Sequence, residues 1–334
     1  MEQLKIDLAR VLKSFLIGLT FALCVMLGLN ANHFYDPEPI LELPIIQELN
    51  DTYAVSWATL FENSLSAPTS TTFSRWNFGK KKERLNAQWN RHAILDKLKS
   101  YDFPKSKLKS AERYLDYIEA NKDIAMQDME DSGVFASIKI AQGLLESAAG
   151  SSKLARATNN HFGIKARANK IGRLKLKNRQ FSRLTDEDYV PIYPATGVHR
   201  MTDDHYHDRF ESYRTVEDSY ARHTQLLTKN CTLGKVGCYD WIWEYFPVGK
   251  VNCDIKPAAQ SFYSFSRLTP DYFFDGATQV PYFMAAASGL KMAGYATSKT
   301  YHRKLSYIIV TYELWQFDLV VKRRREQHIS RSSD

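Results

Sequence analysis

Hydrophobic positions in the middle of the chain recur at the spacing of an α-helix. From residue 114 the apolar side chains keep one helical face until Ser132 and Gly133 end it; they are Tyr114, Leu115, Ile118, Ile124, Ala125 and Met129. Residues 136–147 repeat this spacing, and Gly150 can supply the left-handed residue that terminates the helix. The pattern predicts two successive helices and places Glu146 at the C-terminal end of the second.

A different pattern follows between residues 169 and 210, where short basic and aromatic segments are interrupted by Pro191, Pro194 and Gly197. This pattern predicts a small β-hairpin region. Thr215 and Asp218 then have the spacing of a capping box, and later periodicity predicts final helices over residues 281–294 and 298–317. The predicted fold class is mainly α (α+β), with a helical lobe and a small β lobe in one domain of residues 111–317.

The N-terminus carries an uncharged apolar run, residues 15–29, behind a basic segment. The run is short for a membrane-spanning helix of roughly 20 residues, and the bulky Leu29 makes a poor cleavage site for a signal peptide. A signal anchor and a signal peptide both remain open for residues 1–31, and we favour the anchor helix. Residues 32–110 are interpreted as a stem with leading helices. The predicted location is exported, in the periplasm or cell envelope, with residues 15–29 anchored in the inner membrane.

The composition predicts a globular protein with a basic surface. The chain has 334 residues, 44% of them hydrophobic, and a formal net charge of +8 that comes partly from runs at residues 79–84, 165–179 and 322–326. Such runs are usually solvated surface, although they can attract a polyanion. They lack interleaved aromatic residues and lie beside an export signal, so nucleic acid is not an expected partner. Residues 318–334 are predicted to form a basic tail.

The cysteines leave three interpretations open. Cys24 lies in the apolar run, whereas Cys231, Cys238 and Cys253 lie close together in sequence. Cys231 and Cys238 close a short loop that suits a disulfide in an oxidising compartment. Reduced buried thiols are the second possibility, and a metal site, which would want a fourth ligand, is the third.

Glu146 is the candidate for acid catalysis. Burial among apolar neighbours and the negative end of a helix dipole both raise the pKa of a carboxyl group, which suits a proton donor near neutral pH. Leu144, Leu145, Ala148 and Ala149 surround Glu146 in sequence, and the small alanines would leave room for a bulky substrate. By itself, however, the pattern favours a solvated glutamate at a helix end.

Three stretches resemble the bacterial peptidoglycan glucosaminidases, the autolysin family that includes flagellar rod-associated wall hydrolases. The first is the segment AQGLLESAAGSSKLARATNNHFGIK at residues 141–165, which matches the family's A-Q-x-x-L-E-S helix and its N-N-x-F-G-I-K turn. The second and third are FESYRTVEDSYARHTQLL at 210–227 and AGYATSKTYHRKLSYIIVTYEL at 293–314. The resemblance covers about residues 113–314.

The resemblance implies a lysozyme-like fold and an endo-β-N-acetylglucosaminidase that cleaves the bond following N-acetylglucosamine in wall glycan. Glu146 would be the general acid, and Tyr295 would orient the acetamido group or water in the groove. The matched positions expected to bind substrate are Gln142, Asn160, Phe162 and Tyr213. A muramidase or lytic transglycosylase acting on the same polymer, and a non-catalytic wall-glycan-binding scaffold, are the alternatives.

A second carboxylate is less clearly marked. Glycosidases usually need a partner acid unless the acetamido oxygen of the substrate assists. Asp203, Asp204 and Asp208 lie together in the β-lobe stretch, and we choose Asp204. The interleaved histidines of this stretch could bind a metal, but the family needs none, so neither a metal nor another cofactor is expected.

The chain departs from the family pattern chiefly at residues 228–281, an insertion longer than the usual connection. Its aromatic residues would either extend a sugar-binding groove or form a local core. Ser298 and Lys299 replace the common Asp-Pro pair. These changes concern sugar subsites more than the reaction.

Overall fold

The computed structural model describes residues 89–100, 105–202, 205 and 207–332. The predicted anchor or signal segment, residues 1–31, lies outside this part of the chain, as do most of the predicted stem and Asp204. Within the described residues, no helix combines the length and the apolar character needed to cross a membrane.

Helices make up most of the described chain, as the sequence predicted. In chain order they are α1 Arg91–Lys99, α2 Lys105–Ser132, α3 Ala136–Ser147, α4 Lys153–Thr158, α5 Lys170–Lys177, α6 Val216–Leu227, α7 Trp241–Tyr245, α8 Lys256–Ser266, α9 Tyr282–Met292, α10 Tyr301–Thr311 and α11 Trp315–Ser332. The strands are β1 Arg167–Ala168, β2 Tyr189–Val190, β3 Gly197–Arg200, β4 Arg209–Ser212, β5 Cys253–Asp254 and β6 Gln279–Val280.

In the part of the chain that the structure describes, the strands pair as small antiparallel sheets, β1 with β2, β3 with β4 and β5 with β6. In the largest, Gly197 faces Ser212 and Arg200 faces Arg209. This pair is the hairpin expected between residues 169 and 210. Strand β2 also lies in that stretch, but the prediction was wrong for Lys170–Lys177, which form a helix, α5.

Local chemistry explains why α5 forms. The side chain of Asn169 accepts a hydrogen bond from Gly172 N, which satisfies a backbone donor in the first turn. Gly172 lies against the backbone of Asp188, and a Cβ at this position would collide with the Asp188 carbonyl oxygen. Lys175 binds the Asp188 carboxylate and ties the far side of the helix to the same turn.

Helix α3 lies at the centre of the helical core. Every residue from Ala136 to Leu144 is buried, including Lys139 and Gln142. Helices α2, α9, α10 and α11 all pack against it. Because burial is nearly complete around the helix, its polar groups must be satisfied by the protein rather than by water.

Lys139 shows how this requirement is met. Its Nζ lies wholly inside the core, donates to the Tyr220 carbonyl at 2.9 Å and contacts Asp128 and the Thr224 hydroxyl. Burial lowers the pKa of Lys139 to about 8, and the Asp128 charge opposes that shift. The three partners join α3 to α2 and α6.

Asp318 satisfies the N-terminal end of α3 from another helix. The N-cap residue, Phe135, has no side-chain acceptor, and the Asp318 carboxylate instead accepts from Ser137 N (2.8 Å), from the Ser137 hydroxyl and from Tyr282 Oη (2.8 Å). Asp318 is fully buried. Burial raises its pKa to about 6, although these hydrogen bonds pull the pKa down.

The C-terminal helix therefore begins inside the core. The sequence predicted one helix over residues 298–317 and a basic tail from 318, but Glu313 adopts a left-handed conformation (φ 53°) that separates α10 from α11. Asp318 and Val321 are buried. Only the later turns of α11 carry the exposed basic residues.

Replacing Asp318 by Asn should remove a pH dependence of stability. Folding raises the Asp318 pKa from 3.8 to about 6, so the stability that this group contributes is present below pH 3.8 and is lost as the pH rises through about 6. At about 1.4 kcal/mol for each pH unit, the loss is about 3 kcal/mol. Thermal unfolding between pH 3.5 and pH 7 should show the wild type losing stability relative to Asp318→Asn across this range.

Asp123→Asn is the control, because Asp123 is an exposed residue of α2. Its unfolding curve should follow that of the wild type at every pH. If the stability of the wild type and of Asp318→Asn changed in the same way with pH, the raised pKa of Asp318 would be contradicted.

Candidate active site

The site is built at the C-terminal end of α3, where the chain makes an unusual turn. Ala148, Ala149 and Gly150 all have positive φ, at 52°, 55° and 73°. The glycine was predicted to be left-handed, and the two alanines that precede it adopt this costly conformation as well. The Ser147 hydroxyl holds the turn, since it donates to the Gly143 carbonyl and accepts from Gly150 N at 2.7 Å.

Glu146 is exposed at this turn. Of the two environments that the sequence left open, the solvated glutamate at a helix end is confirmed and burial among apolar neighbours is wrong. Position 146 falls on the part of the last turn that faces solvent, whereas Leu144 is buried and Leu145 is partly buried against the core. Tyr301 Oη donates to Glu146 Oε1 at 3.3 Å. Gln142, one helical turn before Glu146, donates to the same hydroxyl at 2.9 Å. The Tyr301 hydroxyl therefore accepts one hydrogen bond and donates another.

Tyr295 lies beside this pair. Its ring stacks on Tyr301 with centroids 5.6 Å apart, and its hydroxyl is hydrogen-bonded to His223 Nε2 at 2.9 Å. Burial raises the pKa of both tyrosines well above 10, and the Glu146 charge adds to the effect. Both phenols therefore remain protonated at neutral pH and can donate hydrogen bonds.

His223 fixes Tyr295 from inside the protein. It is completely buried, and burial together with the charges of Lys139 and Arg222 lowers its pKa well below 6.5. The ring is therefore neutral at physiological pH. Phe162, predicted to bind substrate, stacks on the His223 ring at 3.9 Å with an interplanar angle of 6° and is itself nearly buried.

Asn160 and Tyr213, also predicted to bind substrate, lie in the interior. Asn160 accepts from Ile164 N and donates to the carbonyls of Ile164 and Glu211, at 3.0, 3.0 and 2.9 Å. Tyr213 Oη donates to Glu211 Oε2 at 2.7 Å, and the same carboxylate pairs with Arg222. These contacts support the turn that follows α4, and the substrate-binding role of both residues stays a prediction.

The acidic stretch of the β lobe is described only in part, because Asp203 and Asp204 lie outside the described residues. Asp208 pairs with Lys165 at 3.1 Å and accepts from His205 N. His205 and His207 stack on each other, with centroids 5.1 Å apart. Within the described stretches of the chain, no three His, Cys, Asp or Glu side chains are grouped as metal ligands.

Sequence reasoning missed the supporting roles of Tyr301 and His223. Both lie inside the motifs that carried the family resemblance, Tyr301 at the end of GYATSKTY and His223 in the SYARHTQLL stretch. Motif membership was therefore the available signal. What the motifs do not contain is the contact between the two segments through Tyr295.

The aromatic residues of the insertion mostly join the main core. Tyr239, Trp243 and Phe246 are buried, Trp241 is partly buried and Tyr245 is exposed. Cys231 and Cys238 form a disulfide, which decides among the three interpretations of these cysteines. Cys253 is a buried free thiol whose pKa burial raises to about 11.

The residues that form this site lie within the span that matches one protein family. Residues 122–314 match the family model of the glucosaminidases, described as mannosyl-glycoprotein endo-β-N-acetylglucosaminidase. The chain belongs to the glucosaminidase family. The matched span contains Glu146, Tyr295, Tyr301 and His223, so the whole arrangement described above lies within the glucosaminidase domain. No curated protein matches the chain.

Solved structures give weaker similarities, each with a TM-score of 0.34. A type VI secretion system effector–immunity complex from Pseudomonas protegens is 12% identical over 61% of this chain and 94% of its own. An N-acetylmuramoyl-L-alanine amidase from Staphylococcus aureus is 22% identical over 62% of this chain and 44% of its own. The catalytic domain of the autolysin Auto from Listeria monocytogenes is 17% identical over 75% of this chain and 99% of its own. Because these scores are low, membership in the glucosaminidase family rests on the sequence model alone.

Gly143 of the glucosaminidase domain should not tolerate a side chain. A Cβ there would collide with the Tyr117 hydroxyl and lie 3.1 Å from Tyr220 Oη. Tyr117 cannot easily move away, because it is hydrogen-bonded to His161 (3.0 Å) and Tyr220 (3.2 Å). Gly143→Ala should therefore destabilise the domain by about 1–3 kcal/mol, even though alanine favours helix by up to about 1 kcal/mol.

Urea unfolding measures this cost. Gly197→Ala is the matched control, because nothing lies within 4 Å of a Cβ at position 197. Equal midpoints for the two variants would show that the Tyr117 contact is not restrictive.

Proposed function

We propose that this glucosaminidase is a peptidoglycan hydrolase, an endo-β-N-acetylglucosaminidase in which Glu146 is the general acid. The observation that carries the proposal is the exposed Glu146 carboxylate at the end of a buried helix, held by Tyr301 and bordered by Tyr295. A general acid must be reachable by the leaving-group oxygen and must be fixed in orientation. Exposure meets the first requirement, and the Gln142–Tyr301 hydrogen-bond chain meets the second.

In this mechanism Glu146 donates its proton to the glycosidic oxygen as the bond to that oxygen breaks. Positive charge then develops at the sugar's anomeric carbon. Either a base in the β lobe, for which Asp204 is the candidate, activates a water molecule, or the acetamido oxygen of the substrate attacks first. In the second case Tyr295 would position the acetamido group.

The His223 contact suits that role for Tyr295. With its proton on Nε2, His223 donates to the Tyr295 oxygen, and the phenol proton is then available to a substrate oxygen. Because His223 is neutral, it adds no positive charge beside the site. Tyr295 then has a fixed position, and its hydroxyl can donate a hydrogen bond to the substrate.

The cellular setting belongs to the same proposal. A wall hydrolase acts outside the cytoplasm, and the Cys231–Cys238 disulfide suits an oxidising compartment. We propose that residues 15–29 anchor the enzyme in the inner membrane and that the catalytic domain adopts a lysozyme-like arrangement of helical and β lobes. Protease accessibility of the full chain in spheroplasts tests the location.

Glu146→Gln should abolish hydrolysis. Removal of a general acid typically costs 10²–10⁴-fold in rate, so the variant should leave no clearing in a zymogram of wall material while binding sacculi as before. Glu112→Gln is the control, because Glu112 is an exposed glutamate on α2. Clearing by Glu146→Gln equal to that of the wild type would remove Glu146 from the mechanism.

The products of wild-type digestion decide which bond is cleaved. Mass spectrometry should find reducing N-acetylglucosamine ends. Reducing muramic ends would identify a muramidase, and anhydromuramic ends a lytic transglycosylase. Either result would overturn the bond assignment while leaving Glu146 as the acid.

Asp204→Asn and Tyr295→Phe separate the two routes to water attack. If a β-lobe base activates water, Asp204→Asn should reduce turnover by something like 10²–10⁴-fold. If the acetamido oxygen assists, Asp204→Asn should be mild and Tyr295→Phe the more damaging change, because the phenyl ring retains the stack on Tyr301 but not the hydroxyl. Near-normal turnover in both variants would reject both assignments.

A further inference from the structure

The disulfide closes a short loop that touches the segment bearing Tyr295. Cys231 and Cys238 have Cα atoms 5.8 Å apart, and the loop between them contains Gly234 and Gly237, both with positive φ. Gly237 N donates to the carbonyl of Ala293 at 2.9 Å. Ala293 is the C-cap residue that follows α9, so the loop supplies the donor for a carbonyl that the helix itself cannot satisfy.

Tyr295 follows two residues after Ala293, across a glycine turn. Gly294 has φ 84°, and Tyr295 N returns to the Leu290 carbonyl at 3.0 Å. Val236, from the closed loop, and Phe265, from α8, lie over this glycine: a Cβ at position 294 would be 3.6 Å from Val236 Cγ1 and 3.1 Å from the Phe265 ring. The insertion thus borders the turn that sets the direction of Tyr295.

Tyr239 makes the direct contact. It follows Cys238 in the chain and is almost fully buried. Its ring packs against the ring of Tyr295, with centroids 5.4 Å apart and an interplanar angle of 67°. Trp241 Nε1 donates to the Cys238 carbonyl at 2.9 Å and fixes the backbone just before Tyr239. Tyr295 is therefore held by Tyr301, by His223 and, through Tyr239, by a covalently closed loop.

We propose that the Cys231–Cys238 loop is a positioning device for Tyr295, acting through Tyr239, so that turnover depends on the redox state of the disulfide. The inference rests on the proposed function, in which Tyr295 acts on the substrate. With two glycines, the reduced loop gains many conformations that the disulfide excludes. Reduction by a dithiol, which transfers two electrons and two protons to the two sulfurs, would release Tyr239 from the ring of Tyr295.

The first test removes the ring contact. Tyr239→Leu should lower kcat on soluble glycan oligomers from peptidoglycan by about 10- to 100-fold, the scale expected for a misplaced catalytic group, with little change in KM. Tyr239→Phe should retain kcat, because it keeps the ring that packs against Tyr295. Tyr263→Leu, at an exposed tyrosine of the same insertion, is the matched control and should behave as wild type.

A coupling measurement distinguishes positioning from general support. In a Tyr295→Ala background, Tyr239→Leu should cause no further loss of kcat, because its effect passes through the missing ring. Additive losses in the double variant would overturn the proposal.

The second test uses the disulfide itself in the full chain. Treatment with dithiothreitol, and the double variant Cys231→Ser/Cys238→Ser, should each lower kcat as Tyr239→Leu does, and reoxidation should restore the treated wild type. Cys253→Ser controls for the buried free thiol. Circular dichroism should show that the reduced protein remains folded.

Each outcome decides the proposal. Unchanged kcat after reduction and in the double serine variant would overturn it, and so would unfolding on reduction, since the loop would then stabilise the domain rather than position Tyr295. If Tyr239→Leu fails to fold, the reduced wild type still gives the answer. Activity retained by Glu146→Gln would mean that the proposed function has failed, whereas an inactive Glu146→Gln with a fully active reduced enzyme would reject the positioning role alone.

Discussion

The burial of helix α3 is the constraint on which the rest of the structure depends. A helix enclosed on nearly all sides cannot leave its end groups or polar side chains to water. Asp318 therefore serves its N-terminal end, and Ser147 with a left-handed turn serves its C-terminal end. The carboxylate of Glu146 emerges where this enclosure stops. Its position follows from the way the helix is terminated.

Two buried side chains, Gln142 and His223, transmit that rigidity to the site. Gln142 is fixed in the core and holds Tyr301, which reaches Glu146. His223 is fixed by its stack on Phe162 and holds Tyr295. Both tyrosines keep their protons because burial and the Glu146 charge oppose ionisation, so the site has hydrogen-bond donors that do not depend on pH near neutrality. The insertion completes the arrangement by packing Tyr239 against Tyr295.

Much of the helical architecture could be predicted from local pattern. The helix over residues 136–147, the capping box at Thr215 and Asp218, and the hairpin between β3 and β4 are confirmed. The helix α5 was missed because its start depends on the Asn169 side chain and its packing on Gly172, neither of which changes hydrophobic periodicity. The end of α10 was missed because Glu313 gives no sequence sign of a left-handed conformation.

The sequence by itself determined the family, the helix over residues 136–147 and the identity of the candidate acid, because these depend on residues that are close together in the chain. Only the tertiary structure decided that Glu146 is exposed, that Asn160 is committed to backbone groups, and that Asp318 belongs to the core. It also decided which distant residues hold Tyr295. Burial and hydrogen-bond pairing arise from segments more than a hundred residues apart, as with Gln142 and Tyr301, and local pattern carries no information about which of those segments meet.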